Sequence, residues 1–226
     1  MSMPMIAAQT LQSQILAGTY AAGEMLPGQR DLAESLGISR GSLREAISML
    51  EALGFVRSIA GKGTFVSGRN GVLADTETNP ILPTQAPSGA IMQLRFLLEP
   101  AAASLAARLC DARAAPRLWG VQARFEEALR SLDLVTASQA DLEFHQLIAE
   151  LTGNEHLYQL THDFEDRITD SVRRPFSNRE RVDEPAAEHR AIAAAICARD
   201  PAAAMLAMQT HLLNAAARIG ISFVQP

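Results

Sequence analysis

Residues 24–66 read EMLPGQRDLAESLGISRGSLREAISMLEALGFVRSIAGKGTFV, and this stretch decides the front of the fold. Its apolar residues recur at helical spacing twice, with a break between. Residues 29–36 form a short helix and Gly37 and Ile38 a turn; Ser39 caps a longer helix that runs to Leu53 and stops at Gly54. Leu32, Leu36, Ile38, Leu43 and Ala46 hold the positions where two such helices pack together. Ala33 is small at their crossing, and Gly37 stands where the turn needs a left-handed backbone. The second helix has two faces. Leu43, Ala46, Ile47, Leu50 and Leu53 go inward, whereas Arg40 and Arg44, one turn apart, share the outer face beside Ser39 and Ser42. Two β-prone runs, 55–59 and 64–66, flank the tip Ala60-Gly61-Lys62-Gly63, and a helix over 6–16, ended by Gly18, precedes the whole. Two arginines at this spacing, taken alone, are commonly a solvated helix face. Joined to the capping serine, the turn and the Lys-tipped hairpin, they make a DNA-binding winged helix-turn-helix whose second helix enters a major groove.

The rest of the chain differs in character. Of 226 residues, 48% are apolar and 20% charged, the balance of a folded protein with room for one or two cores. No run approaches the roughly 18 apolar residues a membrane span needs, and the first residues lack the pattern of a secretory signal. Two cysteines, Cys110 and Cys197, without C-x-x-C spacing, lead us to expect small buried thiols and a reducing cytoplasm. The net charge is -5, yet residues 1–68 balance Arg30, Arg40, Arg44, Arg57 and Lys62 against Glu24, Asp31, Glu34, Glu45 and Glu51. The deficit therefore lies behind them, which leaves a sequence-specific DNA reader possible. Pro80, Pro83 and Pro87 mark a linker. The expected organisation is a DNA-binding domain over 1–68, a linker over 69–88 and an all-helical domain over 89–226, mainly α throughout.

Behind the linker, alanine-rich helical segments fall at about 89–110, 116–131, 136–151, 155–174, 181–199 and 201–219, a bundle of six or seven helices. Polar groups on the apolar stripes of a bundle carry the information. Asp141 and His145 lie four apart on one face, His189 precedes Ile192, Ala193 and Ile196, and His211 sits among Met208, Leu212 and Ala215. Any one of these histidines alone is more simply a hydrogen-bonded core residue. Three of them with one aspartate, from three helices, suit a divalent transition metal. A structural core and a metal site both remain open on these residues alone. Four ligands would leave one or two positions for an anionic oxygen. Arg95 could clamp a carboxylate and Asn214 a hydroxyl, against the plainer readings of a surface arginine and a helix-face asparagine. His156 and His162 read as surface or interhelical residues, Arg173 and Arg174 as a solvated helix end, and Trp119 and Phe125 as core or interface.

The motifs LP-x-x-R-x-LA-x-x-LG-x-SR, LREA and GKGTFV resemble the DNA-binding domain of the GntR family of bacterial transcription regulators. The resemblance implies DNA contacts from Arg30, Ser39, Arg40, Gly41, Ser42 and Arg44, and from Gly61, Lys62 and Gly63 on the wing. Gly28-Gln29 departs from the family's usual serine and glutamate, and Gly41 from its usual threonine, which shifts or loosens base preference. LRFLLEPAAASLAA, DLEFHQLIAELTGN, EHRAIAAAICARDPAAA and HLLN resemble the FCD effector domain of the FadR subfamily. That likeness implies metal ligation by Asp141, His145, His189 and His211, and a small carboxylate effector in place of an acyl-CoA. The expected protein is a cytoplasmic, homodimeric regulator on a pseudo-palindromic operator, repressing until the acid binds. Its expected metal is zinc, with nickel or another first-row ion as alternatives. Rival readings are a metal sensor, a purely structural metal, and a metallohydrolase with a DNA-binding appendage. The last lacks a general base, since Glu143 should point away from the Asp141/His145 face.

Overall fold

The computed structural model describes residues 2–68, 89–163 and 172–224, so the linker over 69–88 and residues 164–171 of the helix expected over 155–174 lie outside the described residues. Helix α1 (Met3–Leu16) leads into α2 (Gln29–Ser35) and α3 (Arg40–Ala52), followed by strands β1 (Val56–Ile59) and β2 (Gly63–Val66). Helix α2 starts on Gly28, which offers no side-chain cap, whereas Ser39 Oγ accepts the Ser42 amide at 3.0 Å to start α3. Gly37 adopts φ +65° between them, as the turn demands. The two antiparallel wing strands pair in the register Val56↔Val66 to Ile59↔Gly63. The segment before α2 adds an edge, with Leu26 N donating to Thr64 O at 2.8 Å.

The second half comprises α4 (Gly89–Leu109), α5 (Ala114–Arg130), α6 (Leu134–Leu151), α7 (Glu155–Asp163), α8 (Glu184–Cys197) and α9 (Pro201–Arg218). Two 3₁₀ turns, Arg174–Ser177 and Arg179–Arg181, stand before α8, which therefore begins later than the expected residue 181. Asp133 and Asp200 cap α6 and α9 through their carboxylates. Antiparallel α4 and α9 pack along their length, with Met92, Ala103, Ala106, Met208 and Leu212 fully buried between helices.

The two halves share one apolar core. Ala7, Ala8 and Leu11 of α1 join Phe125, Leu129, Leu134, Val135 and Phe176 of the bundle in a single cluster. A polar clasp rims it: Gln12 Nε2 donates to Asp133 Oδ1 at 3.0 Å, and Gln12 Oε1 accepts from Val135 N at 3.1 Å. Gln9 Nε2 donates to Asp133 Oδ2 at 3.0 Å and to Thr136 Oγ1 at 2.7 Å. Burial would raise the Asp133 carboxyl, but donation from the Thr136 hydroxyl and amide, joined by Gln12 and Gln9, outweighs it and holds the group below the usual range. The C-cap region of α3 also touches the bundle, where Gly54, at φ +73°, lies so close to Ser177 that a Cβ would come within 3.0 Å of its Cβ. The reading head is thus seated on the bundle, an association that linker composition alone does not reveal.

Leu50 is fully buried in the head. We expect Leu50→Ala to cost about 2–5 kcal/mol in urea unfolding, from the burial removed plus the cavity left behind; a change below about 0.5 kcal/mol would contradict the packing described.

Candidate functional site

On the head, α3 turns Leu43, Ala46, Ile47 and Leu50 inward, which leaves Arg40 and Arg44 exposed on the opposite face. Ser42 is half-buried, its hydroxyl 3.0 Å from that of Ser39, and Gly41 sits at the same helix start. At the wing tip Gly61, Lys62 and Gly63 are exposed, with Gly61 at φ +72° and Gly63 at φ +128°. Arg30, on α2, is exposed 3.8 Å from Asp31. Recognition helix and wing therefore each present cations with few steric obstacles, as phosphate and base recognition require.

The second site lies in the bundle. Helix α6 brings Asp141 and His145, α8 brings His189 and α9 brings His211, and one ligand atom from each lies within 4.8 Å of all the others. Zinc with bonds of about 2.1 Å holds tetrahedral donors about 3.4 Å apart and opposed donors about 4.2 Å apart, so the set must draw in by roughly 0.6 Å or more at its widest to close on such an ion. All four residues are buried. His189, 0% exposed, lies between the rings of Phe144 at 4.2 Å and Phe125 at 4.9 Å. Its Nε2 stands 3.0 Å from Asp141 Oδ1, but off the line a hydrogen bond needs, so both ring nitrogens lack a directed partner. Burial drives His189 below its ordinary pKa and takes His211 down to about 3, so both imidazoles are neutral near pH 7. Burial alone would raise the Asp141 carboxyl; the His189 imidazole and the other two rings instead hold it low.

Around these four sits a ring of charge. Glu188 Oε2 accepts from His211 Nδ1 at 2.8 Å, which leaves His211 Nε2 with the free lone pair facing the cluster. The same carboxylate takes Arg218 Nη1 at 2.9 Å and Nη2 at 2.8 Å, and Asn214 Nδ2 at 2.8 Å. Arg95 is 2% exposed, not a surface arginine, and forks onto Glu99 with Nε at 2.6 Å and Nη2 at 3.2 Å. Its Nη2 also lies 3.3 Å from His145 Nε2, while Glu99 Oε2 is 2.8 Å from His145 Nδ1. Burial would raise Glu99 and Glu188, but their arginine and histidine neighbours keep both well below the carboxylate range.

Asp141, His145, His189, His211 and Arg95 thus converge, whereas Asn214 is half-buried and spends its amide on Glu188. Glu143 points outward onto Arg124, and His156 and His162 are exposed. Arg173 and Arg174 are half-buried, not a solvated helix end. Phe125 is core and Trp119 is 40% exposed. Glu99, Glu188 and Arg218 escape a reading of the sequence. A signal existed for Arg218, which falls seven residues after His211 on the same apolar stripe.

The profile of the FCD domain matches residues 90–214, and that of bacterial regulatory proteins of the gntR family matches residues 6–66. The chain belongs to the GntR family. The putative L-lactate dehydrogenase operon regulatory protein of Escherichia coli K12 is 35% identical over 204 residues, 84% of this chain and 76% of the relative. The Exu regulon transcriptional regulator of the same organism is 30% identical over 92% of this chain and 80% of its own length. A Streptococcus agalactiae GntR structure superposes with a TM-score of 0.50 at 26% identity, covering 96% of this chain and all of that one. This GntR regulator is accordingly a sequence-specific DNA-binding transcription regulator with an FCD effector domain, not an enzyme. Among its described residues, no helix is long and apolar enough to cross a membrane.

Arg40→Ala and Arg44→Ala are each expected to weaken specific operator binding by about 1–3 kcal/mol for every base edge no longer read, with the fold unchanged by circular dichroism. Operator titrations that show wild-type affinity in both variants would sink the assignment of this helix face.

Proposed function

We propose that this regulator holds a divalent metal, zinc foremost and nickel or another first-row ion as alternatives, on Asp141, His145, His189 and His211. The metal would anchor a small carboxylate effector through an open coordination position. The observation that carries the reading is His189, fully buried with two ring nitrogens that lack directed partners beside a buried carboxylate. Such groups are costly unless something satisfies them, and a cation does so for all four at once. Glu188 supports this by fixing the His211 tautomer, and Glu99 sits where it can orient His145. The lactate-linked name of the Escherichia coli relative agrees with a small acid as the signal.

The regulator acts as a homodimer in the cytoplasm, on a pseudo-palindromic operator, because one recognition helix and one wing hold too few contacts for a unique address. The DNA contacts fall to Arg30, Ser39, Arg40, Gly41, Ser42 and Arg44, with the wing residues Gly61, Lys62 and Gly63. Repression until the acid binds is the sense of regulation we assign. Along α4, exposed Leu97, Leu105 and Leu109 offer an apolar strip of the kind partner surfaces use.

Two contacts can transmit the signal. Helix α6 carries Asp141 and His145 at its middle and, through Asp133 and Thr136 at its start, the clasp on Gln9 and Gln12 of α1. From His189, the stacked ring of Phe125 meets Phe176 edge-on at 5.9 Å, and the next residue, Ser177, abuts Gly54 beside α3. Effector binding that shifts α6 or Phe176 changes how the head is seated. The acid must favour one seating over the other to alter operator affinity.

A thermal-shift screen of zinc-loaded against chelated protein tests the site. We expect zinc to raise the midpoint, an acid to raise it further only when zinc is present, and His189→Ala to remove both effects. A rise with zinc and with none of the acids would point to a structural or sensed metal, decided by whether operator binding then depends on zinc.

The clasp has its own test. Gln9→Ala/Gln12→Ala should retain acid binding by calorimetry but reduce the acid-induced change in operator affinity by about 5-fold or more. An undiminished change would remove α1 from the route.

A further inference from the structure

Helix α3 carries an acid where DNA is best met by cations. Glu51 falls seven residues after Arg44 and eleven after Arg40, so it extends the same stripe of the helix. A carboxylate on that stripe stands in the field of the phosphates, and in the last turn of α3 it opposes the helix dipole. The fold gives it a partner: Glu51 Oε1 accepts the Ser58 amide of β1 at 2.8 Å. We propose that Glu51 is a positioning residue for DNA reading, which sets the wing tip and its Lys62 at a fixed distance and angle from the Arg40/Arg44 face. The inference rests on the assignment of DNA contacts to α3 and the wing above, and adds a residue that acts without touching DNA.

The pairing of the wing explains why this amide is available. Thr64 O accepts from Leu26 N at 2.8 Å, and Val66 accepts from Gly23 N and donates to Glu24 O, each at 2.9 Å. Strand β2 therefore turns the backbone groups of these two residues toward residues 23–26. In an antiparallel pair their partners, Ser58 and Val56, point theirs the opposite way. The Ser58 N–H thus lies on the outer edge of β1, where half-buried Glu51 reaches it from α3.

Burial holds the base of the wing but not its tip. Phe55, Val56 and Val66 are buried in the head, whereas Ala60, Gly61, Lys62 and Gly63 are exposed. A two-stranded ribbon is marginally stable and variable in twist, so an anchor near the turn decides where the tip lies. Ser58 is only four residues before Lys62. On the opposite edge Met25 lies against Gly63, its Sδ 3.0 Å from where a Cβ would stand. Braced from both edges, Lys62 needs little ordering when it meets a phosphate.

Titration of the full-length protein with the duplex that the wild type selects from a randomised pool tests this. Charge and position predict opposite signs: loss of an acid from the DNA-facing stripe should tighten binding, and loss of the brace should weaken it. Glu51→Gln removes the charge but keeps an oxygen for the Ser58 amide, and should bind as well as wild type or better. Glu51→Ala should bind about 5-fold more weakly and flatten the dependence of log affinity on log salt by about one for each head, as Lys62→Ala does. Because Glu51 acts through the wing, Glu51→Ala/Lys62→Ala should be no more than about 2-fold weaker than Lys62→Ala. Glu51→Asp keeps the charge but shortens the reach; it should lose affinity as Glu51→Ala does, and decides the matter if the alanine variant unfolds. Wild-type affinity in Glu51→Ala and Glu51→Asp, a loss in Glu51→Gln equal to theirs, or a loss that adds fully to that of Lys62→Ala would overturn the positioning role. Wild-type affinity and salt slope in Lys62→Ala would bring down the wing contact itself, and this inference with it.

Discussion

A buried bundle centre that contains three imidazoles and a carboxylate is the constraint around which this molecule is organised. Such groups lose their water on folding, and each must find a partner inside or destabilise the fold. The chain meets this in layers. Phe144 and Phe125 sandwich the His189 ring, Glu188 fixes His211, and Glu99 lies against His145. The carboxylates are in turn balanced by Arg95 and Arg218, which are themselves buried. Among the described residues of this cluster, the two nitrogens of His189, Nδ1 of His145 and Nε of Arg218 are buried without a hydrogen-bond partner. In the function we propose, stability and ligand binding draw on these same groups.

The same arrangement joins the bundle centre to the DNA-binding head. Helix α6 carries Asp141 and His145 at its middle and clasps α1 at its start, and Phe176 and Ser177 bridge from beside the cluster to Gly54. The head is not a bead on a string. It shares an apolar core with the bundle, and Gln12, buried against Asp133 and Val135, has its amide satisfied only when the two are seated together. A seating held by a few hydrogen bonds and a modest apolar patch is of the size that an effector's differential affinity can overturn.

Much of this is legible in the sequence alone. The turn over Gly37, the cap at Ser39 and the two faces of α3 follow from local rules, because helix periodicity and capping act within a few residues. The inward set Asp141, His145, His189 and His211 was visible as polar groups on apolar stripes. Arg95 was ambiguous, since an arginine four residues before a glutamate reads equally as a surface pair, and only tertiary packing makes it 2% exposed. Glu188 and Arg218 are not singled out by the sequence, because their roles depend on the packing of α8 against α9. The seating of the head on the bundle was not legible for the same reason: Gln9 and Gln12 lie more than 120 residues from Asp133 in sequence.

Helix α6 also imposes a rule of phase. Asp133 and Asp141 are eight residues apart, about 12 Å along one rigid helix, so the clasp and the Asp141/His145 pair keep a fixed angular relation. Inserting or deleting one residue between them would rotate one against the other by about 100° and turn either the pair or the clasp out of register. Descendants of this chain are then free to vary the identity of residues 134–140 within the limits of packing, but not their number.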